Sequence, residues 1–391
     1  MKTWMRPKRE RKSVLLALGW YVHEMVSGVA KFARERDWIL DDLPSHSGVV
    51  WPSWAGDGII TLIPDRQHQL LIDRVRRAGV PVVDLSDQLP ELPFPRVLPD
   101  NEAIGRMAAE HFLGRGFSQF AFVTWDSSAP VVQGRLAGFR QTVMKAGKNF
   151  SLVDYSPQMQ KPGAVARFLP WLARRLAELP KPLATMAQYD GEALNIFRAC
   201  QLANLLVPEQ VAVVGVDNDP IYCELGGIPL SSVASNREMI GYKGAELLDR
   251  LMRGGKAPGQ PLRIAPTGLV IRKSSDIMAV GDVSVAKALS FIAEHFREPI
   301  TVQDVVQASG ASRRNLYIKF ADTLGHSIRG EILRQRLERA KHLLRETGEK
   351  LQGIAQESGF EDPAMLSKTF KQHLGISASA FRALHRPSGC S

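Results

Sequence analysis

Two groups of cations, fifty residues apart in this 391-residue chain, have the residue types and spacing to recognise a polyanion. The first is Ser312, Arg313, Arg314, Tyr317 and Lys319. The second is Ala364, Ser367, Lys368 and Lys371, with Arg382 following. Guanidinium and ammonium groups donate to phosphate oxygens and to the O6 and N7 acceptors of guanine, while hydroxyls add phosphate contacts that fix register. The chemistry in prospect is binding of double-stranded DNA, with no covalent step.

The elements that must position these residues repeat. Val305-Val306, Gly310, Leu316, Phe320 and Gly325 recur as Ile354-Ala355, Gly359, Leu366, Phe370 and Gly375, with one residue inserted between Gly359 and Phe370. Each copy reads as helix, tight turn, helix. A glycine supplies φ > 0 in the turn, and Leu and Phe at i, i+4 form the buried face of the second helix. Ser312 is placed to cap the second helix of the first copy. The connector Ser327 to Glu346 carries Leu333, Leu337, Ala340 and Leu344 on one stripe. A helix of that length runs about 30 Å, close to the ~34 Å between successive major-groove faces of a duplex. An all-α domain with a merely solvated basic face fits the same periodicity, but leaves unexplained why both copies put cations on the same helix.

This segment, about a quarter of the chain, resembles the double helix-turn-helix domain of AraC-type transcription regulators. The resemblance rests on both turns, on the linker helix with Leu333, Arg336, Leu337, Arg339 and Ala340, and on the closing Phe370, Gly375, Ser377, Phe381 and Arg382. The chain departs from the family at Ala378, where Pro is usual, at Phe381, where Tyr is usual, and at Ile318, where many members carry a polar base-reading residue.

Length and composition predict two domains, and charge is divided between them unevenly. Residues 1–12 hold six Lys and Arg against one Glu, residues 13–283 hold 28 of each sign, and residues 284–391 hold 16 cations against 11 anions. A basic terminal domain suits a polyanion, and the basic N-terminal tail reads as solvated. No apolar run is long enough to span a membrane or form a signal h-region, and Cys200, Cys223 and Cys390 are scattered; both point to a cytoplasmic protein with free thiols. The sequence lacks a glycine-rich phosphate loop, a G-x-S-x-G nucleophile and His or Cys at ligand spacing. The expectation is therefore a non-enzyme with no cofactor and no metal.

From Ser13 onward short apolar runs alternate with helical patterns. Strands are expected at Val14–Leu18, Gly58–Ile63, Val80–Leu85, Phe120–Thr124, Leu183–Ala187 and Val211–Val216. Helices are expected at Met25 to Arg36, Gln67 to Ala78, Asn101 to Arg115, Arg135 to Ala146, Gly163 to Leu179 and Glu192 to Ala203. This is the signature of βαβ units and parallel sheets, and its length calls for two lobes. The stretch opening with Asp100-Asn101, the phrase around Arg135, Tyr189-Asp190 and the strand end Asp217-Asn218 resemble the sugar-binding domain of LacI-type regulators, which is related to periplasmic sugar-binding proteins. The resemblance implies one lobe of about 13–116 plus 236–260 and another of about 117–235 plus 261–276, without the N-terminal helix-turn-helix of LacI-type proteins.

The fold class expected is thus a two-lobed, periplasmic-binding-protein-like α/β effector domain (13–276), a linker (277–283) with Ser284 capping the next helix, and an all-α AraC-type double helix-turn-helix domain (284–387). A LacI-like sensor followed by an AraC-like reader resembles the xylose regulator family. It implies a transcription regulator of sugar catabolic genes, an activator, with a small sugar effector such as a pentose. Operator or promoter DNA, a homodimer partner and RNA polymerase are the implied partners. In open α/β folds ligand groups sit past the C-terminal ends of strands, which nominates Tyr21, Asp100, Asn101, Arg135, Tyr189, Asp190, Asp217 and Asn218 for the effector. A carboxylate and an arginine on opposing lobes would also draw the cleft shut. Each has a plainer reading: Asp100 and Asp190 as N-caps, the tyrosines as surface aromatics, Arg135 in an ion pair within one lobe. A transport receptor would explain the first domain and an architectural DNA binder the second, but neither explains both.

Overall fold

The computed structural model describes residues 11–42, 54–160, 164–280 and 282–385, so residues 1–10 of the basic tail and Cys390 lie outside the described residues. The chain divides into two compact units, Met1–Asp276 and Ile277–Ser391.

In the first unit the order is β1 (Ser13–Leu18), α1 (His23–Glu35), β2 (Ile39–Asp41), β3 (Gly58–Leu62), α2 (Gln69–Arg77), β4 (Val82–Asp84), β5 (Val97–Pro99), α3 (Asn101–Leu113), β6 (Gln119–Thr124), α4 (Pro130–Lys145) and β7 (Asn149–Asp154). There follow α5 (Ser156–Met159), α6 (Ala164–Glu178), β8 (Leu183–Ala187), α7 (Asp190–Leu202), β9 (Val211–Val216), α8 (Pro220–Leu225), β10 (Ser231–Ala234), α9 (Arg237–Met252), β11 (Leu262–Ile264) and β12 (Gly268–Val270). Two sheets result. One is parallel in the order β2-β1-β3-β4; the other runs β12-β10-β9-β8-β6-β7, with only β12 antiparallel. β9 is buried along its whole length, the state of a strand covered on both faces and the reason its sequence is a continuous apolar run. β5 pairs with β11 in a separate two-stranded ribbon where the chain crosses between lobes.

Several expectations need correcting. Helix Asn101–Leu113 packs on the second lobe, not the first: a Cβ added to Gly105 would lie 2.0 Å from the Arg135 carbonyl oxygen, and one on Gly138 would lie 2.1 Å from that of Glu102. Gly105 and Gly138, with Gly134 against Asn101, let α3 and α4 approach this closely. The crossings therefore fall near residues 100, 235 and 265. Arg135 does not open its helix, which starts at Pro130 in the N1 position that proline favours. Six strands escaped the sequence reading. Five are three- or six-residue edge or ribbon pieces, and the sixth, β10, is polar.

The second unit is all-helical: α10 (Val283–His295), α11 (Val302–Ser309), α12 (Arg313–Leu324), α13 (Ile328–Glu346), α14 (Leu351–Glu357), α15 (Pro363–Leu374) and α16 (Ala378–His385). Residues 277–283 are no bare linker, since Ile277 and Val280 are buried. Asp282, rather than Ser284, caps α10, accepting from the Ser284 and Val285 amides. Gly310 and Gly359 turn the chain at φ of +68° and +76°. Among the described residues no helix is long and apolar enough to cross a membrane.

Candidate effector site and nucleic-acid interface

The C-terminal ends of β4, β8, β9 and β10 bring a charged cluster together. Asp217 and Asn218 follow β9 with φ of +103° and +54°, a conformation that L side chains rarely adopt. Such strain persists where surrounding structure over-determines it. Here the Asp217 amide donates to the Val233 carbonyl at 2.8 Å and the Asn218 amide donates to Ser232 Oγ at 2.9 Å. The turn aims the Asp217 carboxylate between two guanidinium groups. Oδ1 lies 3.6 Å from Arg135 Nη2 and accepts from Ser235 Oγ at 2.9 Å; Oδ2 lies 2.5 Å from Arg237 Nη2. Arg135, on α4, belongs to the same lobe as Asp217. Arg237, at the start of α9, belongs to the other lobe and lies 4.0 Å from Glu24 on α1. The carboxylate–arginine pair expected to bridge the lobes thus does so through Arg237, not Arg135.

Arg135 is fixed by its other donors. Nε donates to Asn101 Oδ1 at 3.0 Å and Nη1 donates to the Gln188 carbonyl. Asn101 in turn donates to Asp87 at 3.2 Å, a second tie between lobes. Burial pushes the Asp87 carboxyl up and disfavours the Arg135 cation; the guanidinium stays charged all the same. Asp190 is spent inside its lobe, accepting from Ser232 Oγ at 2.6 Å and the Asp219 amide at 2.8 Å. Burial, reinforced by Asp217, raises its carboxyl to about 7. Its side chain does not cap α7. Asp100, in contrast, is the N-cap of α3, accepting from the Ala103 amide at 3.0 Å. Asn218 accepts from Arg272 at 2.8 Å.

Tyr189 precedes α7, and burial raises its phenol to about 12. Tyr21 and Trp20 follow β1 and Trp125 follows β6, all substantially exposed at strand ends. The nominated residues therefore fall into a connected group (Asn101, Arg135, Asp217), intralobe supports (Asp100, Asp190, Asn218) and strand-end aromatics (Tyr21, Tyr189). Sequence reasoning missed Arg237, Ser235, Asp87, Gln188 and Trp125. Trp125 and Gln188 had a visible signal, each standing directly after an expected strand.

In the helical unit Ser312 caps α12, and Arg313, Arg314 and Tyr317 occupy its exposed face, the Arg313 guanidinium 5.6 Å from the Tyr317 ring centre. On α15, Ala364, Lys368 and Lys371 are exposed and Ser367 is half-buried. Two nominated cations are engaged within the protein. Lys319 Nζ lies 2.5 Å from Asp282, and Arg382 donates to the Glu349 carbonyl. The α13 helix, 19 residues long, spans about 28 Å. Its Arg336 donates to the carbonyls of Phe296 and Glu298 at 2.7 Å each, closing the end of α10.

Residues 109–275 match the model of a periplasmic binding protein-like domain and residues 305–384 that of a helix-turn-helix domain. The xylose operon regulatory protein of Escherichia coli K12 is 29% identical over 393 residues, spanning 97% of this chain and 98% of that protein. Its namesake from Haemophilus influenzae is 26% identical over 376 residues, spanning 93% and 95%. Among solved structures, the xylose-binding transcription activator xylR superimposes with a TM-score of 0.69 and 26% identity, covering 97% of this chain and all of that one. Over nearly its whole length, then, this chain has the build of a xylose-operon-type regulator: a two-lobed periplasmic binding protein-like domain followed by a helix-turn-helix domain.

Proposed function

We propose that this protein is a sugar-responsive, DNA-binding transcription regulator that holds a pentose between its two lobes and docks its two helix-turn-helix units in consecutive major grooves. The observation that carries the reading is the near full-length likeness to regulators named for the xylose operon, both modules in the same order. The geometry supports it. A sugar presents vicinal hydroxyls that both donate and accept, and Asp217 and Arg135 offer an acceptor and a bidentate donor side by side. Tyr21, Trp20 and Trp125 stand at strand ends where an aromatic face can cover the apolar side of a pyranose. The same reading makes the protein a cytoplasmic homodimer that activates sugar catabolic genes, with RNA polymerase as a further partner. Arg313, Arg314 and Lys368 are its proposed DNA contacts.

A melting screen against a panel of pentoses and hexoses tests the effector. A sugar bound only by the native state stabilises it by RT ln(1 + [L]/Kd), about 2.7 kcal/mol at a hundredfold excess over Kd. Footprinting tests the reader, with protection expected over about two helical turns per protomer. A panel in which no sugar shifts the melt removes the sensor, and protection of a single half-turn removes the two-headed docking.

A further inference from the structure

Helix α3 touches the candidate effector site with one end and the last residues of the first unit with the other. At its N-terminus Asn101 accepts from Arg135 and donates to Asp87. Ten residues on, about 15 Å along the axis, His111 Nε2 lies 2.8 Å from Ser275 Oγ, and its Nδ1 lies 3.0 Å from Arg115 Nη1. Arg115 only donates, so Nδ1 accepts and Nε2 carries the hydrogen that Ser275 receives. Burial, then the Arg115 cation, lowers the imidazole to about 4, so it is neutral at physiological pH. Arg115 continues to Asp276 at 3.0 Å, the last residue of the first unit.

The exit segment has a second anchor at the same site. Ser274 Oγ donates to the Val213 carbonyl at 2.6 Å and the Val213 amide donates to the Ser274 carbonyl at 2.7 Å. Val213 lies on β9, the strand that Asp217 follows. Both elements that clamp residues 274–276 therefore carry effector-site side chains at their far ends. The glycine crossing at Gly105 and Gly138 locks α3 to α4, so α3 follows Arg135 as one body. Ser274 and Ser275 are fully buried, so the segment has no slack in which a displacement would be lost.

Resting on the sugar-sensor reading above, we propose that α3 is a transmission strut, passing a change at the effector site through the His111–Ser275 hydrogen bond to the segment that leads into the DNA-binding unit. His111 and Ser275 are positioning residues; neither touches the effector cluster. The test uses the full chain, D-xylose as probe and a fluorescent duplex selected from a random pool by the sugar-free protein. In Ser275→Ala and His111→Phe, xylose affinity by calorimetry and sugar-free DNA affinity stay at wild-type values. The xylose-induced change in DNA affinity shrinks roughly fivefold, within the range for cutting one link of a coupled network. His111→Gln, whose amide can still donate to Ser275, retains most of the change. Ser275→Ala keeps the test open should His111→Phe melt early. A response that survives intact in Ser275→Ala overturns the strut. A wild-type protein unresponsive to every sugar removes the sensor reading, and the strut with it.

Discussion

Replacing Asp217 by alanine is the most discriminating perturbation of the effector domain, because one carboxylate serves two guanidinium groups from different lobes. The side chains of Asp217, Arg135 and Arg237 are 10%, 7% and 20% exposed. The 2.5 Å contact to Arg237 is the tighter of the two. Removing one partner of a buried ion pair typically costs about 3–5 kcal/mol, since the remaining charge stays desolvated without compensation. Here two cations are left facing each other, which adds repulsion, while water reaching the partly open Arg237 relieves some of it. The expected loss is therefore near the lower figure, roughly 3 kcal/mol. Urea unfolding followed by tryptophan fluorescence would show it as a lower midpoint. Asp217→Asn, which keeps the shape and the Ser235 bond, should lose less. Starting from Arg237→Met, Asp217→Ala should cost at least ~1 kcal/mol less than in the wild type, the coupling expected of residues in one network. D-xylose Kd by calorimetry should rise at least tenfold in Asp217→Asn and in Arg135→Ala, about 1.4 kcal/mol. An Asp217→Ala protein with a wild-type urea midpoint and wild-type sugar affinity would refute the argument.

Lys368→Ala should weaken DNA binding by ~1–3 kcal/mol with relaxed specificity at one position if the lysine reads a base, or lower the salt slope by about one if it meets phosphate; a gel-shift series at several salt concentrations separates these, and no effect of either kind excludes the contact. Gly310→Ala and Gly359→Ala both force alanine into the left-handed region, costing about 1–2 kcal/mol. A Cβ on Gly359 would also lie 2.4 Å from the Phe296 carbonyl oxygen, whereas Gly310 has open space, so thermal denaturation should show Gly359→Ala as clearly the worse. The Glu192 carboxyl, raised to about 7 mainly by burial, binds its proton more tightly folded than unfolded. Its contribution is therefore present below about pH 4.5 and lost as pH rises towards 7, by up to about 3 kcal/mol. Glu192→Gln, still able to accept from Tyr155, should be less destabilised than wild type between pH 5 and pH 8 in paired urea titrations, and parallel curves would show the group is not so perturbed. A fragment beginning at Ile277 should fold and bind DNA without responding to sugar, and an unstructured circular dichroism spectrum would show that the unit depends on its neighbour.

How legible all this was in the sequence follows from what each element is made of. β1, β3, β6, β8 and β9 announced themselves because a parallel strand covered on both faces must be apolar throughout, as the fully buried β9 is. β10, Ser231–Ala234, sits equally deep but reads as a loop. Its buried serines satisfy themselves by hydrogen bonds, Ser231 Oγ to the Arg272 carbonyl and Ser232 Oγ to Asp190, so polarity carried no warning of burial. That single omission hid Ser235 and Arg237, both within three residues of its end, and with them the interlobe tie. Helix α3 was found yet set on the wrong lobe, because a helical pattern and its distance from a strand do not say which sheet the helix packs on. That was decided by Gly105 and Gly138, whose meaning appears only when two helices meet. The helix-turn-helix units were the most legible part, since caps, turn glycines and the i, i+4 apolar pair are all local. Lys319 shows the limit of that locality. Helical spacing could set it beside Arg313 and Tyr317, but not foretell that Asp282, outside the repeat, takes up its charge. Spacing reveals what a side chain's own element requires, whereas ionic partners across the fold are fixed by tertiary geometry that periodicity does not encode.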